Sequence, residues 1–97
     1  MNFVAEYVKN EKKVLGIEVD SVYNEEFTIT SGTFKLTRDS DSVVVIDEVA
    51  ATVSTNEVYY LIDTTLTVIT VAKYTAEFSY IINTEQMIYR IPVSVVS

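Results

Sequence analysis

The side chains in this 97-residue chain that could carry out chemistry are carboxylates in close pairs. Two carboxylates across a cleft can act as general acid and general base. Three such groups are present: Glu25 with Glu26, Asp39 with Asp41, and Asp47 with Glu48. All of them fall in polar, turn-like stretches, where charged side chains are expected in any soluble domain. We therefore expect no catalysis from them.

The sequence Asp-Ser-Asp-Ser at residues 39–42 resembles the start of a calcium-binding loop. The residues after it supply neither the central Gly nor the distal bidentate Glu of an EF-hand. The pattern leaves open a weak calcium site at the surface. We expect no metal centre and no cofactor.

The chain contains neither Cys nor His. Disulfides, thiolate metal sites and Ser-His or Cys-His nucleophile pairs are thereby excluded. Gly16 and Gly32 are isolated, so no phosphate-binding glycine loop is present. A net charge of −7 repels nucleic-acid phosphates and anionic lipid surfaces. We expect no nucleic-acid, membrane or small-molecule partner, and the start of the chain does not resemble an export signal.

The composition favours strands as the elements that position these residues. Val, Ile and Thr occupy 37 of 97 positions, and seven Tyr and four Phe accompany them. We predict strands at residues 3–8, 14–19, 27–30 and 33–37, then shorter extended pieces at 43–47, 50–54 and 56–63. Asp63 is expected to cap one helical turn at residues 64–67.

The last quarter of the chain predicts a β-hairpin, because apolar and polar residues alternate on both sides of a turn at residues 83–85. The inward, structural face of its first strand carries Tyr74, Ala76, Phe78 and Tyr80. Pro92 in the second strand lacks an N–H, which indicates an edge position or a bulge. We predict the interface residues Met87, Tyr89, Arg90 and Pro92 on this strand, with Tyr59 elsewhere.

Tyr59 and Tyr60 place one ring on each face of a strand. One ring is expected in the core. The other is either an interface anchor or a ring that lies over its own sheet.

Seven to nine short strands in fewer than 100 residues predict an antiparallel β-sandwich of immunoglobulin type in a single domain, residues 1–97. A small up-and-down barrel is the alternative. In the sandwich, a Tyr near the start of the sixth strand anchors the preceding corner through its hydroxyl. Tyr74 in "AKYTA" fits that role, with Ala76 where antibody domains have a half-cystine, although Tyr74 could also be an ordinary half-buried aromatic. The buried Trp of antibody domains is absent.

The stretch "VYYLIDTTLTVITVAKYTAEFSYIINTEQMIYRIPVSVVS" resembles small immunoglobulin-like domains of tailed-bacteriophage structural proteins, including the N-terminal module of baseplate upper proteins. The shared pattern is a strand, a short turn, a Tyr-led strand with a small residue two positions later, a polar turn and a valine-rich final strand. The upstream "KVLGIEVDSVYNEEFTITSGTFKL" fits the early strands. The resemblance covers residues 13–96 and implies a component of the virion, assembled in the bacterial cytoplasm, with no substrate and no cofactor.

Two functions therefore compete, with an enzyme a distant third. The first is a structural module of a phage or prophage tail, baseplate or head, which binds other structural proteins or copies of itself. The second is an immunoglobulin-like module of a cell-surface protein or adhesin, which requires an export signal or tandem repeats. For the first, we expect docking through lightly charged edges at residues 3–8 and 87–96. The alternative is a monomeric spacer.

Overall fold

The strand-rich composition produces two β-sheets. In the computed structural model, which describes residues 4–19 and 27–97, all regular elements are strands. They are β1 (Ala5–Val8), β2 (Lys12–Glu18), β3 (Ile29–Arg38), β4 (Val43–Ala50), β5 (Thr52–Val53), β6 (Glu57–Asp63), β7 (Ala72–Ile82) and β8 (Glu85–Val96). The carboxylates Glu25 and Glu26 lie outside the described residues.

Five strands form one sheet in the order β1-β8-β7-β3-β4, and three form the other in the order β2-β6-β5. The predicted all-β fold with two sheets is confirmed. Strands that follow one another in sequence are often in different sheets, as in a sandwich, and the single closed sheet of an up-and-down barrel is not formed.

The prediction of a purely antiparallel sandwich is wrong for one strand pair. β1 runs parallel to β8, with Ala5 opposite Val93 and Val8 opposite Val96. After β1 the chain crosses to the other sheet, so no tight hairpin forces β1 to run antiparallel to its neighbour. The Lys9 N–H extends this pairing by donating to the Val96 carbonyl at 2.7 Å.

The core lies between the two sheets and is built from the inward residues of each strand. Phe34 of β3 stacks on Tyr60 of β6, with ring centroids 4.6 Å apart and planes 10° from parallel. Phe34 also meets Phe78 of β7 at 5.0 Å with tilted rings. The contact with Tyr60 joins the two sheets, and the contact with Phe78 joins neighbouring strands of one sheet, so Phe34 lies at the centre of the core.

The segment between β6 and β7 forms turns, and the predicted helical turn at residues 64–67 is wrong. The Lys9 ammonium donates to three carbonyls of this segment, those of Thr64 at 2.5 Å, Leu66 at 3.0 Å and Ile69 at 2.6 Å. Carbonyls that converge on one cation cannot all point along a helix axis. Asp63 does accept the Thr65 N–H at 2.9 Å, as expected of a capping carboxylate.

Candidate functional site

The hairpin of β7 and β8 is the longest regular strand pair in the described part of the chain. Its register runs without a shift from Ala72 opposite Val95 to Ile82 opposite Glu85. Asn83 and Thr84 form the loop, and Asn83 has a φ of 56°. A two-residue loop with positive φ at its first position is typical of a type II′ turn, whose twist suits a continuous ladder.

Alternation along β7 produces the inward face that the sequence predicts. Tyr74, Ala76, Phe78 and Tyr80 are all buried, whereas Lys73 points outward and is exposed. The hydroxyl of Tyr74 accepts the Thr70 N–H at 2.8 Å and donates to the Thr70 carbonyl at 2.8 Å. This pair of bonds holds the end of the β6–β7 segment against the start of β7.

Four of the predicted interface residues lie together on β8, at positions 87–92. Met87 and Tyr89 are 38% and 52% exposed, and Arg90 and Pro92 are also exposed. On the adjacent β7, burial and the neighbouring Tyr89 raise the pKa of the Tyr80 hydroxyl. The first half of β8 extends past the core, because only from Ile91 onward are its inward side chains buried.

Sequence reasoning missed Ile88, which is 53% exposed between Met87 and Tyr89. It shares the outer face of the sheet with Arg90, whose Nε donates to Glu77 Oε1 at 3.0 Å. The available signal was a large apolar residue between the polar side chains of Gln86 and Arg90 on that face. With Ile88 included, three consecutive apolar side chains of β8 are open to solvent.

The hydrogen-bonding pattern of the hairpin shows which backbone groups of β8 lie along its outer edge. In an antiparallel pair, successive residues direct their N–H and C=O groups to opposite sides. The Lys73 carbonyl accepts from Asp39 on the β3 side, and the Val96 carbonyl accepts from Lys9 on the β1 side. On β8, the backbone N–H and C=O groups of the odd-numbered residues therefore point toward β7, and those of the even-numbered residues point away from it.

It follows that Gln86, Ile88 and Arg90 direct their backbone groups outward. Within the described residues, β1 pairs only with the other half of β8, from Val93 to Val96, so these three have no backbone strand partner. The backbone of Pro92 also points away from β7, so its missing N–H removes nothing from the β7–β8 ladder. Of the two alternatives for Pro92, an edge position or a bulge, the structure therefore has the edge position.

Tyr59, the fifth predicted interface residue, lies on the other sheet. Tyr60 takes the core position, and Tyr59 lies on the outer face of β6, opposite Gly16 of β2. A Cβ at Gly16 would come within 2.8 Å of the Tyr59 Cβ, so only glycine allows this close approach. Tyr59 is partly buried and is separate from the β8 edge.

The described carboxylate pairs do not converge on a site. Asp41 forms two hydrogen bonds with Arg38, at 2.8 and 3.0 Å, and this contact lowers the pKa of Asp41. Asp39 instead accepts from the Thr75 hydroxyl at 2.7 Å. Asp47 and Glu48 are exposed on β4. Within residues 4–19 and 27–97, no three acidic side chains cluster as metal ligands would.

Comparison with known proteins adds no relative. No family model, curated protein or solved structure gives a significant match to this chain. In the part of the chain that the structure describes, no helix has the length and hydrophobicity needed to cross a membrane.

Proposed function

We propose that this chain is a non-catalytic, immunoglobulin-like structural module of a phage or prophage particle, and that it acts by docking another protein along the open edge of β8. The observation that carries the docking proposal is that edge itself. It combines a regular register, three outward residues that no strand of the described ranges 4–19 and 27–97 pairs with, and the exposed side chains of Met87, Ile88 and Tyr89.

The strand order supports the immunoglobulin-like assignment. In that fold, the second, fifth and fourth strands share one sheet, and the third, sixth and seventh share the other, which can gain an extra strand beside the third. β4 is the added strand here, so the fourth to seventh strands of that fold correspond to β5, β6, β7 and β8. With this numbering, the order β2-β6-β5 matches the first sheet, and β8-β7-β3-β4 matches the second with its added strand. The Tyr74 hydroxyl, bonded to the corner four residues upstream, supports the same assignment.

Three strands at other sheet edges, β4, β5 and β2, each carry a protective feature, which favours β8 over them as the docking edge. β4 has two register shifts against β3 and carries Asp47 and Glu48. β5 is only two residues long. β2 begins with Lys12 and Lys13. Irregular pairing, short length and lysines are the usual means by which sheet edges avoid unwanted pairing.

The assignment to a virion rests on the sequence resemblance, and the chemistry of the surface is compatible with it. An assembly module needs contact surfaces and no reactive groups. The localisation in an assembled particle and the structural partners are parts of this proposal.

Co-expression with the proteins encoded beside this chain tests the proposal. We expect the wild type to capture a structural protein of a particle, and Ile88→Lys to lose that capture, because a partner strand would have to bury the new charge. Val44→Lys is the matched control, since Val44 is 43% exposed on β4. Capture that survives Ile88→Lys, or that is lost equally in Val44→Lys, would contradict docking at β8.

A further inference from the structure

The open stretch of β8 is bounded on both sides. The hairpin loop at Asn83 and Thr84 ends it on one side. Pro92, which lacks an outward N–H, and then β1, which starts at Ala5 opposite Val93, end it on the other. Ile88 lies midway between Thr84 and Pro92, so the three outward residues Gln86, Ile88 and Arg90 are arranged symmetrically about it.

A segment that is symmetric about one outward residue can pair with a copy of itself. We propose that the partner at this edge is a second copy of this chain, whose β8 pairs antiparallel with the first around a twofold axis at Ile88. This inference rests on the proposed docking at β8 and names its occupant. The two five-stranded sheets then form one continuous sheet across the axis.

The backbone groups match in this register. Ile88 lies opposite Ile88 of the second copy, and Gln86 lies opposite Arg90 of the second copy, with the reciprocal pair on the other side of the axis. Each of these three pairs directs its N–H and C=O groups toward the other chain, so each can exchange two hydrogen bonds. All outward groups between the loop and Pro92 are then used.

The side chains match as well. On the inward face, Met87 lies opposite Tyr89 of the second copy, in a closely spaced pair where a thioether meets an aromatic ring favourably. On the outer face, the charged Arg90 lies beside the neutral Gln86. No like charges face each other directly, which matters for a chain that carries a net charge of −7.

Neighbouring twofold registers are poorer. An axis at Arg90 places two arginines directly opposite each other. An axis at Tyr89 places Gln86 opposite Pro92, whose N–H is missing. An axis at Met87 leaves Arg90 opposite the hairpin loop. The Ile88 register alone pairs all three outward residues.

An interface of three residues from each chain is small, so the non-covalent dimer is expected to be weak. A covalent trap suits such a contact, and the chain contains no native Cys to interfere. At a hydrogen-bonded antiparallel pair the Cα atoms lie about 5.5 Å apart, which a disulfide can bridge. We expect Ile88→Cys to oxidise to a disulfide-linked dimer faster than Val44→Cys, a similarly exposed position on β4.

Two further variants test the register. In a dimer of Gln86→Cys alone, or of Arg90→Cys alone, the two thiols lie several residues apart across the axis. In a mixed dimer of these two variants, the thiols lie opposite each other. We expect the mixture to form the mixed disulfide more readily than either variant dimerises alone. Far-UV circular dichroism of each reduced variant checks that the fold is retained.

The outcomes separate this inference from the proposed function. Self-pairing would be overturned if Ile88→Cys oxidised no faster than Val44→Cys. It would also be overturned if Gln86→Cys alone dimerised as readily as the mixture of Gln86→Cys and Arg90→Cys. If self-pairing fails while the wild type still captures a neighbouring structural protein, docking at β8 stands with a different occupant. If both fail, the proposed function falls with the inference.

Discussion

The two halves of the β7–β8 hairpin share one ladder and have opposite surroundings. At its base, Tyr74 and Ala76 face Val93 and Ile91, and all four are buried. Toward the tip, Met87 and Tyr89 continue the same alternation but are exposed. One strand of a pair can therefore extend past the core while its partner stays in it, since Phe78 and Tyr80 of β7, opposite Tyr89 and Met87, are buried. Backbone hydrogen bonds sustain the ladder where the side-chain burial of β8 ends.

The outer edge of β8 differs between the two halves in the same way. β1 covers the base from Val93 to Val96, and among the described residues no strand covers the stretch from Gln86 to Arg90. The long dimension of the domain, 43 Å against 26 and 22 Å, is about the length of a twelve-residue strand such as β8. The base stabilises the fold, and the tip is the part that we propose makes contacts with other chains.

The largest expected contrast compares Phe78 with Tyr89, which lie directly opposite each other on the same face. Phe78 is fully buried and packs on Phe34, so Phe78→Ala should cost about 3–5 kcal/mol of unfolding free energy. Tyr89→Ala should cost less than about 1 kcal/mol, because half of its side chain is already in water. Urea unfolding of the two variants measures both values. Equal losses would remove the distinction between the buried face of β7 and the exposed half of β8.

A smaller contrast isolates two hydroxyls. Tyr74→Phe removes the two 2.8 Å bonds to Thr70 and should cost about 1–1.5 kcal/mol of unfolding free energy. Tyr89→Phe removes a hydroxyl from an exposed ring and should leave the unfolding midpoint close to that of the wild type. If Tyr74→Phe also unfolds at the wild-type midpoint, Tyr74 is an ordinary core aromatic and does not anchor the corner.

A pH-dependent contrast concerns Tyr7 of β1, whose hydroxyl donates to the Lys13 carbonyl at 3.0 Å. Burial, and then the nearby Glu11, raise the pKa of Tyr7 to about 12. Since this pKa lies above the value of about 10 in an unfolded chain, neutral Tyr7 contributes its full stabilisation of the fold below pH 10. That stabilisation is lost as the pH rises toward 12. Thermal unfolding should show a steeper loss over this range in the wild type than in Tyr7→Phe. Parallel pH profiles would contradict the burial of a neutral Tyr7.

The faces of the hairpin can be predicted from sequence because side-chain alternation is a local property of a strand. Alternation directs Tyr74, Ala76, Phe78 and Tyr80 inward, and their burial agrees with it. The same alternation does not reveal where the core ends. It therefore does not identify Ile88, although the neighbouring Met87 and Tyr89 are predicted interface residues.

The features that could not be predicted depend on contacts between distant parts of the chain. The parallel pairing of β1 with β8 joins the two ends of the sequence, and no local pattern encodes its direction. The segment after β6 adopts turns around the ammonium of Lys9, more than 50 residues away, where local signals favour a helical turn. In both places a long-range partner overrides the local preference.

Backbone amide exchange at residues 86–90 tests the central claim, the open edge of β8, most directly. At low protein concentration, the Met87 and Tyr89 amides should be protected by their bonds to β7, while the Ile88 and Arg90 amides exchange freely. Raising the concentration, or adding a captured partner, should slow exchange at Ile88 and Arg90 and leave β4 unchanged. Free exchange at Ile88 and Arg90 under every one of these conditions would contradict docking at this edge.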